Sequence, residues 1–157
     1  MTESTSSGTT RAATLPNKYL TFFLGEEEYG VDILSVQEIR GLSATTRLPG
    51  APDAVLGVIN LRGVIVPVLD LRVRLGLSPA VATPTSVIIV LGIAGRMVGL
   101  QVDGVSDVLD VEPGSIQPAP DLGSGSADIL GMARRGENLV VLLDAARVVS
   151  VATPLAP

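Results

Sequence analysis

The chain of 157 residues contains neither cysteine nor histidine. Without cysteine there is no disulfide, no thiolate nucleophile and no zinc–thiolate site. Without histidine the commonest general base and the commonest transition-metal ligand are missing. Lys18 is the only lysine, which argues against a lysine nucleophile or a P-loop nucleotide site. We therefore predict a protein that is not an enzyme and that holds no cofactor or metal.

Positive charge and long apolar runs are also scarce. The 11 lysine and arginine residues face 16 aspartate and glutamate residues, and no basic cluster is interleaved with aromatic residues. Nucleic-acid binding is therefore disfavoured. No apolar run reaches the roughly 18 residues that span a bilayer, and the N-terminal segment lacks the apolar centre of a signal peptide. We expect a soluble, cytoplasmic protein that does not insert into a membrane.

The residues that are abundant favour β-structure. Hydrophobic residues make up 46% of the chain, and many are valine and isoleucine, whose branched side chains suit strands. The 17 glycines and 11 prolines are spread along the chain and indicate many turns. The pattern predicts an all-β fold with short helices over residues 18–150. Residues 1–17, rich in serine and threonine, are predicted to be a disordered tail, and residues 151–157 are predicted to fray.

Short apolar segments bounded by turn residues predict the individual strands, at 19–24, 29–33, 55–60, 64–69, 85–93, 96–102, 105–111 and 139–143. Residues 35–39 fit either a helical turn or a bent strand. Short helices are predicted at 71–76 and 144–149, a loop at 112–126 and a helical turn at 127–130. Pro67 has no N–H to donate to a ladder, so we predict that it lies at a sheet edge or a bulge.

The two halves of the chain resemble each other. The segment YGVDILSVQEI from Tyr29 aligns with VGLQVDGVSDV from Val98 over eleven residues without a gap. Residues 56–70 align with residues 130–144 when one residue is shifted inside the match. Chance similarity of valine-rich strands explains this register less well than duplication. Two intertwined five-stranded barrel subdomains follow, at roughly 18–80 and 81–150. Because a barrel of about 60 residues buries little surface alone, we predict that the two share a hydrophobic core.

Two long motifs carry a resemblance to a known family. They are GVINLRGVIVPVLDLR from Gly57 to Arg72 and GEEEYGVDILSVQEI from Gly25 to Ile39. Together they resemble the CheW family, the coupling proteins of bacterial chemotaxis, and residues 47–49, 102–105 and 117–120 also fit. The resemblance implies two SH3-like five-stranded β-barrels packed around a common apolar core, without catalytic activity. The second half departs from the Asn-Leu-Arg-Gly pattern at residues 132–136, which leaves its surface contacts open.

The resemblance also implies partners and a place in the cell. Family members couple the cytoplasmic tips of methyl-accepting chemoreceptors to the regulatory domain of the histidine kinase CheA. Such a protein would be cytoplasmic and recruited to membrane-associated receptor arrays. One alternative is a stand-alone signalling module that resembles the CheA regulatory domain or CheV. Another is a small barrel hydrolase or ligand-binding protein, which the missing histidine and cysteine disfavour.

The resemblance places the receptor contacts at Val36, Glu38, Gly57, Arg62, Val87 and Val98. In it, Arg62 and Glu38 orient the receptor tip through charge-assisted hydrogen bonds, and Val36 adds apolar contact. From the residues alone, Arg62 and Glu38 also fit an ordinary solvated surface. Gly57 also fits a purely backbone role, and Val87 and Val98 fit the core better than a site, although one of them would line the far wall.

The kinase contacts are harder to place. The candidates are Leu42, Leu48, Val55 and Leu122. The first three fit burial in the core about as well as an apolar edge. The acidic residues Asp103, Asp107 and Asp110 recur at short spacing. That spacing does not match a calcium-binding EF-hand loop, so we interpret them as turn and solvent-face residues.

Overall fold

A computed structural model of the protein describes residues 17–120 and 128–150. The described residues form ten strands, which are β1 (Lys18–Leu24), β2 (Glu27–Asp32), β3 (Val36–Gly41), β4 (Val55–Leu61), β5 (Val64–Asp70), β6 (Val87–Ile93), β7 (Arg96–Val102), β8 (Gly104–Asp110), β9 (Ile129–Arg135) and β10 (Asn138–Leu143). They also form two short α-helices, α1 (Leu71–Arg74) and α2 (Ala145–Val149), and 3-10 turns at Ile33–Ser35 and Pro113–Ser115. The prediction of a mainly β fold with short helices is confirmed.

The strands form two five-stranded sheets with equivalent orders. We call the two sheets barrel 1 and barrel 2. Barrel 1 has the order β8-β1-β2-β10-β9, and barrel 2 has the order β3-β6-β7-β5-β4. If β1 to β5 are exchanged for β6 to β10, one order becomes the other, as the sequence repeat requires. Each barrel takes a hairpin from one half of the chain and three strands from the other half. The boundary near residue 80 therefore separates the two repeats but not the two barrels.

Three apolar clusters hold the barrels. A central cluster draws buried residues from both barrels, from both helices and from the loop before β4, and it comprises Leu20, Phe22, Leu24, Val31, Ala54, Leu69, Leu71, Ile89, Leu91, Val98, Leu100, Val102, Leu143, Ala145, Val148 and Val149. Barrel 1 has its own cluster around Tyr19 and Val140. Barrel 2 has its own cluster around Leu61 and Val90. The predicted shared core is confirmed, and it joins the barrels into one unit.

The two helices reinforce this junction. Asp70 and Asp144 each accept a hydrogen bond from a backbone N–H in the first turn of the helix that follows, and such caps stabilise a helix by about 1 kcal/mol. Arg74 of α1 donates to the carbonyl oxygens of Arg147 (2.9 Å) and Val148 (3.1 Å) in α2. Positive charge at a helix C-terminus also complements the helix dipole. A side chain from the first half thus ties down the last helix of the second half.

Two sequence predictions need correction or refinement. The helical turn predicted at 127–130 is wrong from Ile129 onward, because β9 begins there and pairs with β10 along its length. Strand pairing overrides the helix-favouring alanine and arginine residues at 133–135 of β9. Residues 35–39 fit a turn or a strand by sequence, and both occur: Ser35 ends a 3-10 turn and residues 36–39 lie in the strand β3.

Pro67 lies in β5, which is flanked by β4 and β7. It pairs with Val58 of β4, but β7 pairs with β5 only from Val68 to Asp70. Pro67 therefore lies just outside the stretch that β7 pairs with. It sits at a local edge, as a residue without an N–H requires.

The predictions for the chain ends fall largely on residues that the structure does not describe. Residues 1–16 and 151–157 lie outside the described ranges, as do residues 121–127. Asn17, the last residue of the predicted tail, accepts a hydrogen bond from the N–H of Val111 at 2.8 Å. That bond places Asn17 with the folded barrel rather than with the tail.

Candidate protein-binding site

The hairpin between β4 and β5 turns at Arg62 and Gly63. Leu61 pairs with Val64, so these two residues alone form the turn. Their φ angles are +53° and +89°, which is the pattern of a type I′ hairpin turn. Glycine adopts this conformation freely, but a left-handed arginine costs about 1 kcal/mol. The Oδ1 atom of Asn60 accepts a hydrogen bond from the N–H of Gly63 at 2.8 Å. The turn is fixed in a shape that projects Arg62 into solvent.

Arg62 meets Glu38 at this turn. Its Nη2 atom donates to Oε1 of Glu38 at 2.8 Å, and 70% of the Arg62 side chain is exposed. Glu38 lies on β3 and Arg62 at the end of β4, the two outermost strands of barrel 2. The ion pair therefore bridges the gap at which the sheet closes into a barrel.

A second arginine faces the same carboxylate. Nη1 of Arg40 lies 3.6 Å from Oε2 of Glu38. The hydrogen bond from Arg62 is the main cause that holds the pKa of Glu38 below its ordinary value. The positive charges of Arg62 and Arg40 act in the same direction, whereas desolvation opposes them. Glu38 is therefore ionised at neutral pH and links two guanidinium groups.

The remaining predicted receptor contacts divide into two groups. Val36 is two residues before Glu38 on β3, but the register shifts between them, so Val36 pairs with Leu91 and Glu38 with Val90. Val36 is half-buried against the central cluster, as is Val87. Val98 is only 1% exposed and belongs to that cluster. The structure thus brings Val36, Glu38 and Arg62 to one edge of barrel 2, and it places Val98 in the core.

Gly57 has a backbone role in this structure. Its φ is +150°, and a Cβ atom at this position would collide with the carbonyl group of Thr46. Thr46 forms an isolated bridge with Val58 through two hydrogen bonds of 2.9 Å. Gly57 is therefore the residue that lets the loop before β4 lie directly against the strand.

The candidate kinase contacts are not equally exposed. Leu42 and Leu48 are 38% and 48% exposed, and both precede β4. Val55 is half-buried against the central cluster. Leu122 lies outside the described residues. Leu42 and Leu48 are therefore the predicted kinase contacts whose side chains reach the surface.

Arg40 is a member of this site that sequence reasoning missed. It follows Glu38 by two residues, in the part of β3 whose register with β6 is regular. Residues spaced by two share a face of a strand. Once 35–39 is recognised as strand rather than helical turn, this spacing is the signal that points to Arg40.

The three acidic residues of the second half each have a cationic partner. Asp103 accepts from Arg72 at 2.7 Å and Asp110 accepts from Lys18 at 2.6 Å. Asp107 lies 3.7 Å from Arg135. Within residues 17–120 and 128–150, no group of three or more candidate ligands is placed to hold a metal ion. The same residues contain no helix long and apolar enough to cross a membrane.

These features define a class of protein, the double β-barrel with exchanged hairpins around a common core. Residues 18–153 match the family model of the CheW-like domain, and the chain belongs to this family. It is 45% identical over 139 residues to the chemotaxis protein CheW of Klebsiella aerogenes, covering 87% of this chain and 84% of that protein. It is 49% identical over 105 residues to CheW of Rhizobium meliloti, covering 67% and 68%.

A solved structure matches the fold as well. The scaffolding protein TtCheW from Thermoanaerobacter tengcongensis superimposes with a TM-score of 0.76 at 35% sequence identity. The match covers 83% of this chain and 85% of that one. The resemblance carried by the two sequence motifs is therefore confirmed along most of the chain.

Proposed function

We propose that the protein is a chemotaxis adaptor that couples the cytoplasmic tips of chemoreceptors to the histidine kinase CheA without catalysing a reaction. The observation that carries this proposal is the match to the CheW-like domain over residues 18–153. Relatives named chemotaxis protein CheW and a solved relative described as a scaffolding protein support it. The adaptor acts in the cytoplasm, at membrane-associated receptor arrays.

The mechanism is geometric. The central cluster and the Arg74 contacts with α2 make the two barrels one body. Two surfaces of such a body hold a receptor and a kinase at a fixed orientation. A change in the receptor then shifts the kinase between its states through differential contacts. Each contact can be weak, because many copies in an array raise the effective concentration.

The receptor face consists of Val36, Glu38 and Arg62. The exposed guanidinium of Arg62 forms charge-assisted hydrogen bonds with the receptor, and Glu38 fixes its direction. Val36 adds apolar contact from the same edge. Gly57 supports this face through the backbone, and Val87 supports its wall from the core side. Because rim charges set specificity and association rate more than affinity, we expect a marked salt dependence.

The kinase face comprises the apolar residues before β4. Leu48 and Leu42 are exposed there, and Val55 anchors the segment that carries them. Leu122, which lies outside the described residues, would add a further kinase contact. Exposed apolar side chains of this kind favour binding because their surface is buried in the core of the interface.

The proposal is tested by co-purification of the full chain with CheA and with a chemoreceptor tip fragment, each alone and together. We expect the chain to bind either partner and to bring both into one complex. Arg62→Ala should weaken receptor binding about tenfold or more and leave CheA binding unchanged. Arg96→Ala is the matched control, since Arg96 is an exposed arginine on the other hairpin of barrel 2.

The kinase face has its own variant. Leu48→Asp should weaken CheA binding and spare the receptor. Val81→Asp serves as the control, because Val81 is 78% exposed and lies outside every strand. A chain that binds CheA but no receptor fragment would favour the alternative, a module resembling the kinase's own regulatory domain. Normal receptor binding by Arg62→Ala would remove the proposed receptor face.

A further inference from the structure

We propose that Arg40 is a second specificity-determining residue, which together with Arg62 forms a two-guanidinium site for a carboxylate group of the receptor. This inference rests on the proposed function, because it names the chemistry that the receptor must bring to the same edge of barrel 2.

The charge balance of the edge carries the first step. Arg62 and Arg40 face the two oxygens of Glu38, at 2.8 Å and 3.6 Å. Two cations share one anion, so the cluster retains one positive charge in a chain whose net charge is −5. A partner group that completes this cluster is therefore an anion.

The hydrogen-bonding state of Arg40 carries the second step. The 3.6 Å separation from Glu38 is longer than a charge-assisted hydrogen bond. Among residues 17–120 and 128–150, the Nε atom of Arg40 is buried without a hydrogen-bond partner. Arginine presents donors in a planar fork that matches a carboxylate, and a buried donor without an acceptor is unfavourable. Arg40 thus has donor capacity that Glu38 does not use.

The placement of the donors carries the third step. Glu38 and Arg40 are two residues apart in the regular part of β3, where they pair with Val90 and Ile88, so they lie on one face of the strand. About a third of the Arg40 side chain (32%) and most of the Arg62 side chain (70%) remain exposed. The incoming carboxylate would meet Arg62 from solvent and Arg40 from the strand.

The test is calorimetric titration of the full chain with the cytoplasmic tip fragment of a methyl-accepting chemoreceptor at several salt concentrations. Arg40→Gln should weaken binding roughly tenfold, the effect of losing a charge-assisted hydrogen bond. It should also reduce the salt dependence of the affinity, because one screened charge is gone. Arg40→Lys keeps the positive charge but loses the planar guanidinium, so its affinity should lie between those of the wild type and Arg40→Gln. Arg96→Gln is the control.

A second experiment identifies the partner group. Arg40→Glu should nearly abolish binding, and replacing one acidic residue of the fragment by arginine should restore it. CheA binding of every Arg40 variant, and the thermal midpoint of Arg40→Gln and Arg40→Lys, should stay close to the wild-type values, which separates recognition from folding.

The outcomes distinguish the two levels of the proposal. If the wild-type chain does not bind the fragment, the proposed function fails and this inference fails with it. If the wild type binds, Arg62→Gln weakens binding and Arg40→Gln does not, only the role of Arg40 is overturned. The same holds if Arg40→Gln weakens binding no more than Arg96→Gln, or if no charge reversal on the fragment restores binding by Arg40→Glu.

Discussion

The two barrels are built on one plan but close differently at one end. In barrel 1, Arg135 lies 3.2 Å from Glu28 and donates to Thr21 at 3.3 Å. The equivalent residues of barrel 2 are Leu61, Met97 and Val90, which pack together in its apolar cluster. Strand register establishes the equivalence, since Arg135 pairs with Asn138 across its hairpin as Leu61 pairs with Val64. Barrel 1 is therefore closed by a half-buried ion pair, and barrel 2 is closed by apolar side chains.

The difference explains why the two arginines that the sequence repeat aligns, Arg62 and Arg135, are not equivalent. Aligning the repeats with a one-residue shift places Arg62 over Arg135, but the ladder places Arg135 over Leu61 and Gly136 over Arg62. The shift is therefore not present in the fold. Arg135 is a strand residue that neutralises the buried Glu28, whereas Arg62 is a turn residue that faces solvent. The structure thus offers an exposed arginine at this turn in barrel 2 only.

The largest effect is expected from breaking the polar closure of barrel 1. Arg135→Leu leaves the carboxylate of Glu28, whose side chain is 9% exposed, without its cation. Removing one partner of a buried ion pair is strongly destabilising, and we expect a loss of about 3 kcal/mol in the free energy of unfolding. Urea unfolding measures this loss. Arg134→Leu is the control, because the neighbouring Arg134 is exposed, and it should change stability by no more than about 0.5 kcal/mol.

The matched variant makes barrel 1 resemble barrel 2. Glu28→Met and Arg135→Leu together replace the ion pair by the residues found in barrel 2, and Thr21 is kept because its Oγ1 atom also accepts from the N–H of Asp107 and donates to its carbonyl oxygen. Replacing a whole buried ion pair by apolar residues is often neutral or stabilising, so stability should return to within about 1 kcal/mol of the wild type or exceed it. A double variant as unstable as Arg135→Leu alone would show that the two closures are not interchangeable.

The next largest effect on stability is expected at Gly57 of barrel 2 and Gly131 of barrel 1. Each of these glycines lies directly against the backbone of a neighbouring segment, at Thr46 and Gln117 respectively. Gly57→Ala should cost about 2 kcal/mol, because the methyl group meets the Thr46 carbonyl and the backbone has a positive φ. Gly131→Ala in barrel 1 should be unfavourable for a similar reason, since its Cβ would lie 2.7 Å from the carbonyl oxygen of Gln117. Gly41→Ala has nothing within 4 Å and provides the control.

Thermal unfolding of these three variants gives the measurement. If Gly57→Ala unfolds like the wild type but fails to bind the receptor fragment, Gly57 belongs to the binding surface and our structural interpretation of it is wrong.

A smaller effect is expected at the tips of the exchanged hairpins. Ala94 occupies the first turn position between β6 and β7 with φ +52°, and Gly25 occupies the equivalent position between β1 and β2 with φ +63°. Ala94→Gly should therefore stabilise the protein by about 0.5–1 kcal/mol, and Gly25→Ala should destabilise it by a similar amount. Chemical denaturation tests both, and equal signs for the two variants would contradict the comparison.

The smallest effect is the titration of Glu38. Its pKa is lowered from 4.5, chiefly by the hydrogen bond from Arg62. Because the folded-state pKa is the lower one, the stabilising contribution of this pair is fully present above the unfolded pKa. It is lost as the pH falls through the folded pKa. In Arg62→Gln, NMR titration should show the pKa of Glu38 moving back up toward its ordinary value. An unchanged pKa would mean that the pair does not persist in solution.

Local patterns predicted most strands, since alternation at Tyr29, Val31 and Ile33 and the turn at Arg62–Gly63 are properties of neighbouring residues. The exchange of hairpins was not predictable, because it depends on which of two similar hairpins each three-stranded unit accepts. Strand β9 was missed because its Met-Ala-Arg-Arg segment has little intrinsic β-preference and is held by pairing with β10.

The candidate site shows the same limit. The pairing of Arg62 with Glu38 came from the family resemblance, because the two residues are 24 positions apart and nothing local links them. Val98, taken as a possible site residue, is a core residue because β7 lies between β6 and β5 in the middle of its sheet. The pattern of residues 35–39 fits a turn or a strand equally, so it does not indicate that Arg40 shares a strand face with Glu38.

The central claim is that the exposed edge of barrel 2 binds the receptor, while Arg135 of barrel 1, which the sequence repeat aligns with Arg62, maintains the fold. It is tested most directly by measuring both receptor-fragment affinity and unfolding free energy for Arg62→Ala and Arg135→Leu. Arg62→Ala should lose affinity by about tenfold with stability changed by less than about 1 kcal/mol. Arg135→Leu should show its main effect as a lower free energy of unfolding. If Arg62→Ala binds the fragment as the wild type does, the claim is contradicted.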